Sequence, residues 1–345
     1  MMKTKIYNFK NIIEYKDLEE ASSIIKNGGL VAIPTETVYG LAADGLNPEA
    51  LEKIFIAKNR PMDNPLILHI SDIFQVYELT KDVKEKDIEI LKKLWPGPLT
   101  VILNRSDIVP DEVTAGLDTV AIRMPDNKIT RNFIKICDTP LAAPSANLST
   151  KPSPTTADAV YEDMNGRIDA IIDGGPCTIG IESTVLDLTE EAPKILRPGY
   201  YTKEMLEKYW EIVYIDLGLN DKNITPKSPG QKYKHYAPNA EVLVLIGDDD
   251  SFRKEVNKLL LENESKKIGL MVFDNDKKLY NNKDVIYMGE KEDLSYMGKI
   301  LFDSLRKMDE NGVELIIVRG VEEDGYGLSI MNRLKKAASQ NVRRI

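Results

Sequence analysis

From Leu30 to Arg197 the chain alternates short, β-rich apolar runs with segments of helical periodicity, and no other feature of its 345 residues constrains the fold as much. The strand candidates are LVAIP, PLILHI, LTVIL, TVAIRM, PLAA, DAIID, STVLDL and KILRP, many of them closed by Pro, Gly or Asx turn residues. Helical patterns fit 17–27, 48–59, 84–94, 128–137 and 155–163. Strands interleaved with helices bury their apolar faces as an α/β domain, here expected to hold a large, twisted, mixed sheet with flanking helices. After Asp216 comes a polar stretch, LGLNDKNITPKSPGQKYKHYAP, with little apolar periodicity, expected to act as a linker. Beyond it EVLVLIG, KIGLMVF, DVIYMG and ELIIVRG alternate with helical patterns at 250–263, 292–310 and 328–339, the pattern of a smaller, three-layer, Rossmann-like α/β unit. The expected division is a first domain over 15–203, a linker over 204–239 and a second domain over 240–345.

Charge and composition narrow the function classes. A net charge of −9 argues against holding nucleic acid by bulk charge, which relies on clustered Lys and Arg. No run approaches the roughly 20 apolar residues of a membrane span, so no membrane association and a cytoplasmic location are expected. Cys137 and Cys177 lie far apart and outside any C-x-x-C pattern, which predicts buried thiols and no metal site built by the protein.

One helix is specified in detail. Asn47 is its N-cap, Pro48 its first residue and Glu49 lies in its first turn. Leu51, Ile54 and Phe55 form the inward stripe, and Lys58 continues that stripe by one turn, so its side chain is expected to point toward the sheet. Pro61 disfavours helical geometry at Arg60, so both cations are expected at the helix C-terminus.

Standard nucleotide and hydrolase motifs are absent. GPCTIGIES has the glycine spacing of a P-loop but carries Ile181 and Glu182 where Lys and Ser or Thr are required. There is no G-x-G-x-x-G, H-E-x-x-H or G-x-S-x-G. What remains is a set of polar residues at strand ends and turns: the PTETVYG turn, Thr119 and Arg123 on one face of AGLDTVAIRMP, the AAPSANLSTKPSPT loop, and Ser183 and Arg197. Lys58, Arg60, Arg123 and Arg197 would supply a cationic clamp for a triphosphate or carboxylate. Taken singly, each residue has a plainer account: Lys58 as a helix-end cation, His69 as a satisfied core histidine, Arg123 as the partner of one buried acid.

Taken in order, PTETVYGLAAD, AKNRPMDNPLILHI, WPGPLT, AIRMP, APSANLS, GIESTVLDL, LRPG and SPGQKYKHYAP resemble the two-domain threonylcarbamoyl-AMP synthase family, whose catalytic part is a YrdC-type domain. Its K-x-R and S-x-N patterns match Lys58, Arg60, Ser145 and Asn147. The resemblance implies a YrdC-like fold and synthesis of L-threonylcarbamoyladenylate and pyrophosphate from L-threonine, bicarbonate and ATP with Mg²⁺. That product is the activated intermediate for threonylcarbamoylation of adenosine 37 in tRNAs reading ANN codons. It further implies hand-off to a separate tRNA transferase, without a stable nucleic-acid complex. By the resemblance, Thr37, His69, Arg123, the Ala143 main chain and Ser183 contact L-threonine. Lys58, Arg60, Asn64, Thr119, Ser145, Asn147, Ser153, Arg197 and His235 contact ATP, with Lys58 and Arg60 as the catalytic cations. SPGQKYKHYAP would close over the site as a lid. Two other classes stay open on the residues alone: an RNA-binding module without ATP turnover, and a nucleotide-sensing regulatory protein.

Overall fold

The computed structural model describes residues 3–10, 14–216, 227, 235–280 and 284–345. Two compact units result, one built from 1–149, 153–178 and 182–233, the other from 234–345 together with the short segments 150–152 and 179–181.

Unit one is organised by an eleven-stranded sheet. Its strands are β1 (Lys5–Asn8), β2 (Val31–Ile33), β3 (Gly40–Asp44), β4 (Ile67–His69), β5 (Leu99–Asn104), β6 (Thr119–Arg123), β7 (Leu141–Ala142), β8 (Ala170–Asp173), β9 (Thr184–Asp187), β10 (Lys194–Arg197) and β11 (Tyr214–Ile215). They lie in the order β1-β8-β2-β3-β7-β4-β6-β5-β9-β10-β11, with parallel and antiparallel pairs interspersed, as the sequence leads one to expect of a mixed sheet. The helices Pro48–Lys58, Glu85–Leu94 and Ala157–Met164 cover one face, around a core that includes Leu51, Ile54, Leu91, Val160, Val101, Val120 and Ile122. On the other face the helices Tyr15–Lys26 and Lys128–Cys137 pack over the β1-β8-β2-β3-β7 half, through Leu18, Ile25, Phe133 and Ile134. Over β4-β6-β5-β9-β10 on that second face the apolar cluster shrinks to Ile67, Ile102, Ala121, Val185 and Leu196. This stretch of sheet is where the polar residues of interest lie.

The helix carrying Lys58 runs Pro48–Lys58 and begins as its sequence dictates, with the Asn47 carboxamide accepting from the Glu49 and Ala50 amides. It stops one residue earlier than Pro61 alone would require. Asn59 adopts the left-handed conformation at φ 51°, ψ 48°, its amide donates to Ile56 O, and the Arg60 amide reaches back to Phe55 O. Those two reverse bonds close the helix and satisfy two of its last four carbonyls, those of Phe55 and Ile56. Pro61 then keeps Arg60 out of helical space.

The second unit holds five parallel strands, β12 (Glu241–Ile246), β13 (Ile268–Val272), β14 (Val285–Tyr287), β15 (Leu315–Arg319) and β16 (Val342–Arg344), in the order β14-β13-β15-β12-β16. Helix Asp249–Glu262 packs on one face through Phe252, Val256 and Leu259 against Leu243, Leu245, Leu270 and Ile317. The alternate residues Val244, Met271, Ile316 and Val318 are equally buried, as a parallel sheet covered on both faces requires. Helices Leu294–Glu310 and Gly325–Ala337 supply further buried residues to this unit.

Candidate functional site

The strand register assembles the site. One row of directly paired residues crosses six neighbouring strands: Leu141 on β7, His69 on β4, Arg123 on β6, Thr100 on β5, Val185 on β9 and Arg197 on β10. Paired residues in a sheet project to the same side, so His69, Arg123, Thr100 and Arg197 share the face on which the apolar cluster is small. Two residues along, Ile67, Ala121 and Ile102 form an apolar floor on that face, while Val120 and Ile122 point into the opposite core. Thr119, two residues before Ala121, belongs to the same face.

Arg123 is 4% exposed and tied to the PTETVYG turn. Its Nη1 donates to Thr37 Oγ1 at 2.9 Å, and its Nη2 lies 2.6 Å from Glu36 Oε2. The Thr37 hydroxyl also shares a hydrogen bond with Thr35 Oγ1, and the Thr35 hydroxyl donates to Val38 O, so the turn is pinned by its own side chains. Arg123 therefore does pair with one buried acid, as the plainer account has it. Next to it, His69 is buried, with Nδ1 3.2 Å from Ile67 O. Burial, reinforced by the Arg123 charge, pushes its pKa down to about 3, so the imidazole is neutral at pH 7.

A second group centres on Ser183. Its hydroxyl shares a 2.7 Å hydrogen bond with Thr100 Oγ1 and accepts from Arg197 Nη2 at 3.1 Å, while Arg197 Nε donates to Ser183 O. The LRPG turn approaches so closely that a Cβ on Gly199 would lie 2.3 Å from the Thr184 nitrogen, which leaves glycine as the residue that fits. Ser153 Oγ donates to Glu182 Oε1 at 2.6 Å, both buried.

The third group holds the cations of the helix end. Lys58 is 3% exposed, and its Nζ donates to the carbonyls of Ser145 and, at 2.7 Å, Asn147. No carboxylate among the described residues pairs with it; burial, then the charge of Arg60, holds its pKa well below the usual lysine value. The Ser149 amide donates to Lys58 O, which fastens the S-x-N loop to the helix terminus, and Gly40 bridges Ser145. Arg60 Nη2 donates to Asn64 O at 2.9 Å. Both side-chain polar atoms of Asn64 are buried without a hydrogen-bond partner, an arrangement that natural proteins seldom keep unless a ligand completes it. The Ala143 main chain, which donates to Ile67 O, lies between this loop and β4.

Thus Thr37, Lys58, Arg60, Asn64, His69, Thr119, Arg123, Ala143, Ser145, Asn147, Ser153, Ser183 and Arg197 all belong to unit one. His235 belongs to the other unit, where its ring lies 5.6 Å from Tyr236, which in turn stacks on Phe302 at 5.0 Å. Residues 228–234 of the proposed lid lie outside the described residues. Glu36, Thr100 and Glu182, polar residues of the site, carry no assignment from the sequence: Glu36 is visible there as a carboxylate in an otherwise hydroxyl-rich turn, whereas Thr100 is at home in any strand. A cavity of about 660 Å³ lined by Ser23, Lys53, Arg167 and Asp169 contains none of these side chains. Among the described residues no group of three or more His, Cys, Asp or Glu is arranged to hold a metal ion, and no helix is long and apolar enough to cross a membrane.

Comparison with known proteins gives a consistent result over both units. Residues 23–199 match the family described as "Telomere recombination", and residues 201–339 match "Threonylcarbamoyl-AMP synthase, C-terminal domain". The threonylcarbamoyl-AMP synthase of Pyrococcus abyssi is 45% identical over 98% of this chain and 99% of its own, and that of Bacillus subtilis is 44% identical over 94% of each. The crystal structure of P. abyssi Sua5 complexed with L-threonine superposes with a TM-score of 0.93 at 44% identity, covering 99% of this chain and 100% of that one.

Proposed function

The chain belongs to the threonylcarbamoyl-AMP synthase family, which makes L-threonylcarbamoyladenylate and pyrophosphate from L-threonine, bicarbonate and ATP, and on that premise we propose how its residues divide the work. Arg123, Thr37, His69, Ser183 and the Ala143 main chain receive L-threonine. Lys58, Arg60, Asn64, Thr119, Ser145, Asn147, Ser153 and Arg197 receive ATP, with Mg²⁺ entering on its phosphates. The chemistry lies within the first unit; β1 (Lys5–Asn8) and β11 (Tyr214–Ile215) belong to its sheet, so that unit reaches beyond 15–203 on both sides, and 240–345 belongs to the second unit.

The observation that carries this division is the Lys58 ammonium, buried among main-chain carbonyls with no carboxylate among the described residues paired to it. An ammonium so buried is costly unless an anion joins it, and a polyphosphate is the anion the reaction brings. The nucleophile is a carbamate oxygen and the electrophile the α-phosphorus, both carrying negative charge. The main task is therefore neutralisation and alignment, which positioned cations and hydroxyls perform without a nucleophilic side chain. Arg123 captures the threonine carboxylate from a fixed direction. His69, neutral at pH 7, adds shape and a hydrogen-bonding ring without charge.

The product serves N6-threonylcarbamoyladenosine formation at position 37 of tRNAs reading ANN codons, and we infer a cytoplasmic enzyme that passes it to a tRNA transferase. Incubation with ATP, Mg²⁺, bicarbonate and L-threonine should yield pyrophosphate and the mass of threonylcarbamoyl-AMP. ATP turnover that ignores threonine and bicarbonate would sink the assignment.

A further inference from the structure

Arg123 and Glu36 are incompletely matched to each other. Their 2.6 Å contact falls short of an aligned hydrogen bond: Glu36 Oε1 and Oε2 receive none, and Arg123 Nε and Nη2 donate none, although the residues are only 6% and 4% exposed. A buried guanidinium edge without an acceptor next to a buried carboxylate without a donor is the complement of a zwitterion. We propose that Glu36 receives the α-ammonium of L-threonine and takes up the proton that carbamate formation releases. The inference rests on the assignment of Arg123 to the threonine carboxylate.

Covalent geometry supports the pairing. The nitrogen and carboxyl carbon of an α-amino acid hang from one carbon, about 2.5 Å apart, so a carboxylate on Arg123 brings the ammonium beside Arg123's own neighbour. The other polar groups here are already engaged: Thr37 with Thr35 and Arg123, and Ser183 with Thr100 and Arg197. His69 is too weak a base to serve. The titratable groups that feel Glu36 are Arg123, Cys177 and Tyr201, with His69 on the far side of Arg123.

The proton balance requires such an acceptor. Threonine ammonium and bicarbonate give the carbamate, one water and one proton: the ammonium loses a proton to the Glu36 carboxylate, the amine lone pair forms the C–N bond, and the bicarbonate hydroxyl leaves with the amine's next proton as water.

Glu36→Gln keeps the shape and removes the charge. The kcat/KM for L-threonine should fall about 10- to 100-fold at pH 7, with the KM for ATP unchanged. Between pH 7 and 9 the variant should gain about tenfold per unit as free amine accumulates, while the wild type stays flat. Glu36→Asp should raise the threonine KM and keep the flat profile, and it carries the test should Glu36→Gln not fold. By calorimetry the wild type should prefer L-threonine over (2S,3R)-2,3-dihydroxybutanoate, and Glu36→Gln should lose that preference. A flat profile in Glu36→Gln, equal losses for threonine and ATP, or a retained preference for the amine would each reduce Glu36 to a counter-ion of Arg123. Failure of the premise shows differently: wild-type protein that makes no adenylate, or Arg123→Gln with unchanged threonine KM, removes the assignment and the inference together.

Discussion

The two ends of the site treat positive charge in opposite ways. Arg123 is buried beside its own carboxylate, Glu36, whereas Lys58 is buried among carbonyl dipoles with no acid among the described residues in contact. The first end is close to neutral and suits a zwitterion; the second has no acid in contact among the described residues, only the more distant field of Asp163, and suits a polyanion. Deleting a cation should therefore have different consequences at the two ends.

The largest difference is expected in activity at Lys58. Lys58→Met should lower kcat about 10²- to 10³-fold, as loss of one electrostatic stabiliser does, while unfolding free energy changes by no more than about 1–2 kcal/mol, because no acid is left behind. Adenylate formation in a discontinuous assay and urea melts measure the two quantities; near-normal turnover would break the comparison. Arg123→Ala should do the reverse to the fold, stranding the Glu36 carboxylate at a cost of about 3–5 kcal/mol, and Arg123→Ala with Glu36→Ala should recover much of it. Equal melts for the single and double variants would show the pair to be uncoupled.

A smaller effect concerns acid. His69 has its folded pKa near 3 against an ordinary 6.5, so below pH 6.5 the unfolded chain binds the proton first, and stability present above that pH is lost as pH falls toward 3. At pH 5 the loss should approach about 2 kcal/mol, and His69→Gln should flatten that limb of the stability curve. A wild-type curve already flat between pH 4 and 6.5 would contradict the burial of a neutral imidazole. The smallest effect should come from Ser183→Ala, which removes one shared hydrogen bond with Thr100 and one from Arg197, worth about 1 kcal/mol in urea melts.

Much of this was legible in the amino-acid sequence. The phase of the helix before Asn59 turns Lys58 inward, and the alternation in TVAIR puts Arg123 on the face opposite Val120 and Ile122; both are properties of local periodicity, and both are found. The strand order is not local. Nothing in LTVIL says that Thr100 sits between Arg123 and Val185: β5 pairs with the next strand along, β6, but also with β9, and β6 pairs with β4, so the row of site residues crosses strands that are not successive in the chain. The edge strands β1 and β16 were also hidden: KIYN buries one residue of four and VRR none, so neither shows an apolar face. Glu36 was visible as a carboxylate but not as a partner, since its contact with Arg123 spans 87 residues of chain, a pairing that only the folded sheet creates.

The left-handed turn at Asn59 has a consequence for how this chain can change over time. The helix closes on its own carbonyls at Asn59 and Arg60, and Lys58 O is left to hold the Ser149 amide. Two cations, a loop anchor and Asn64 are thus set by a count of residues running from a single stop. Substitution along this segment changes one contact at a time, but an inserted or deleted residue would displace all four together. The spacing from Lys58 to Asn64 should consequently tolerate fewer length changes than the polar stretch after Asp216.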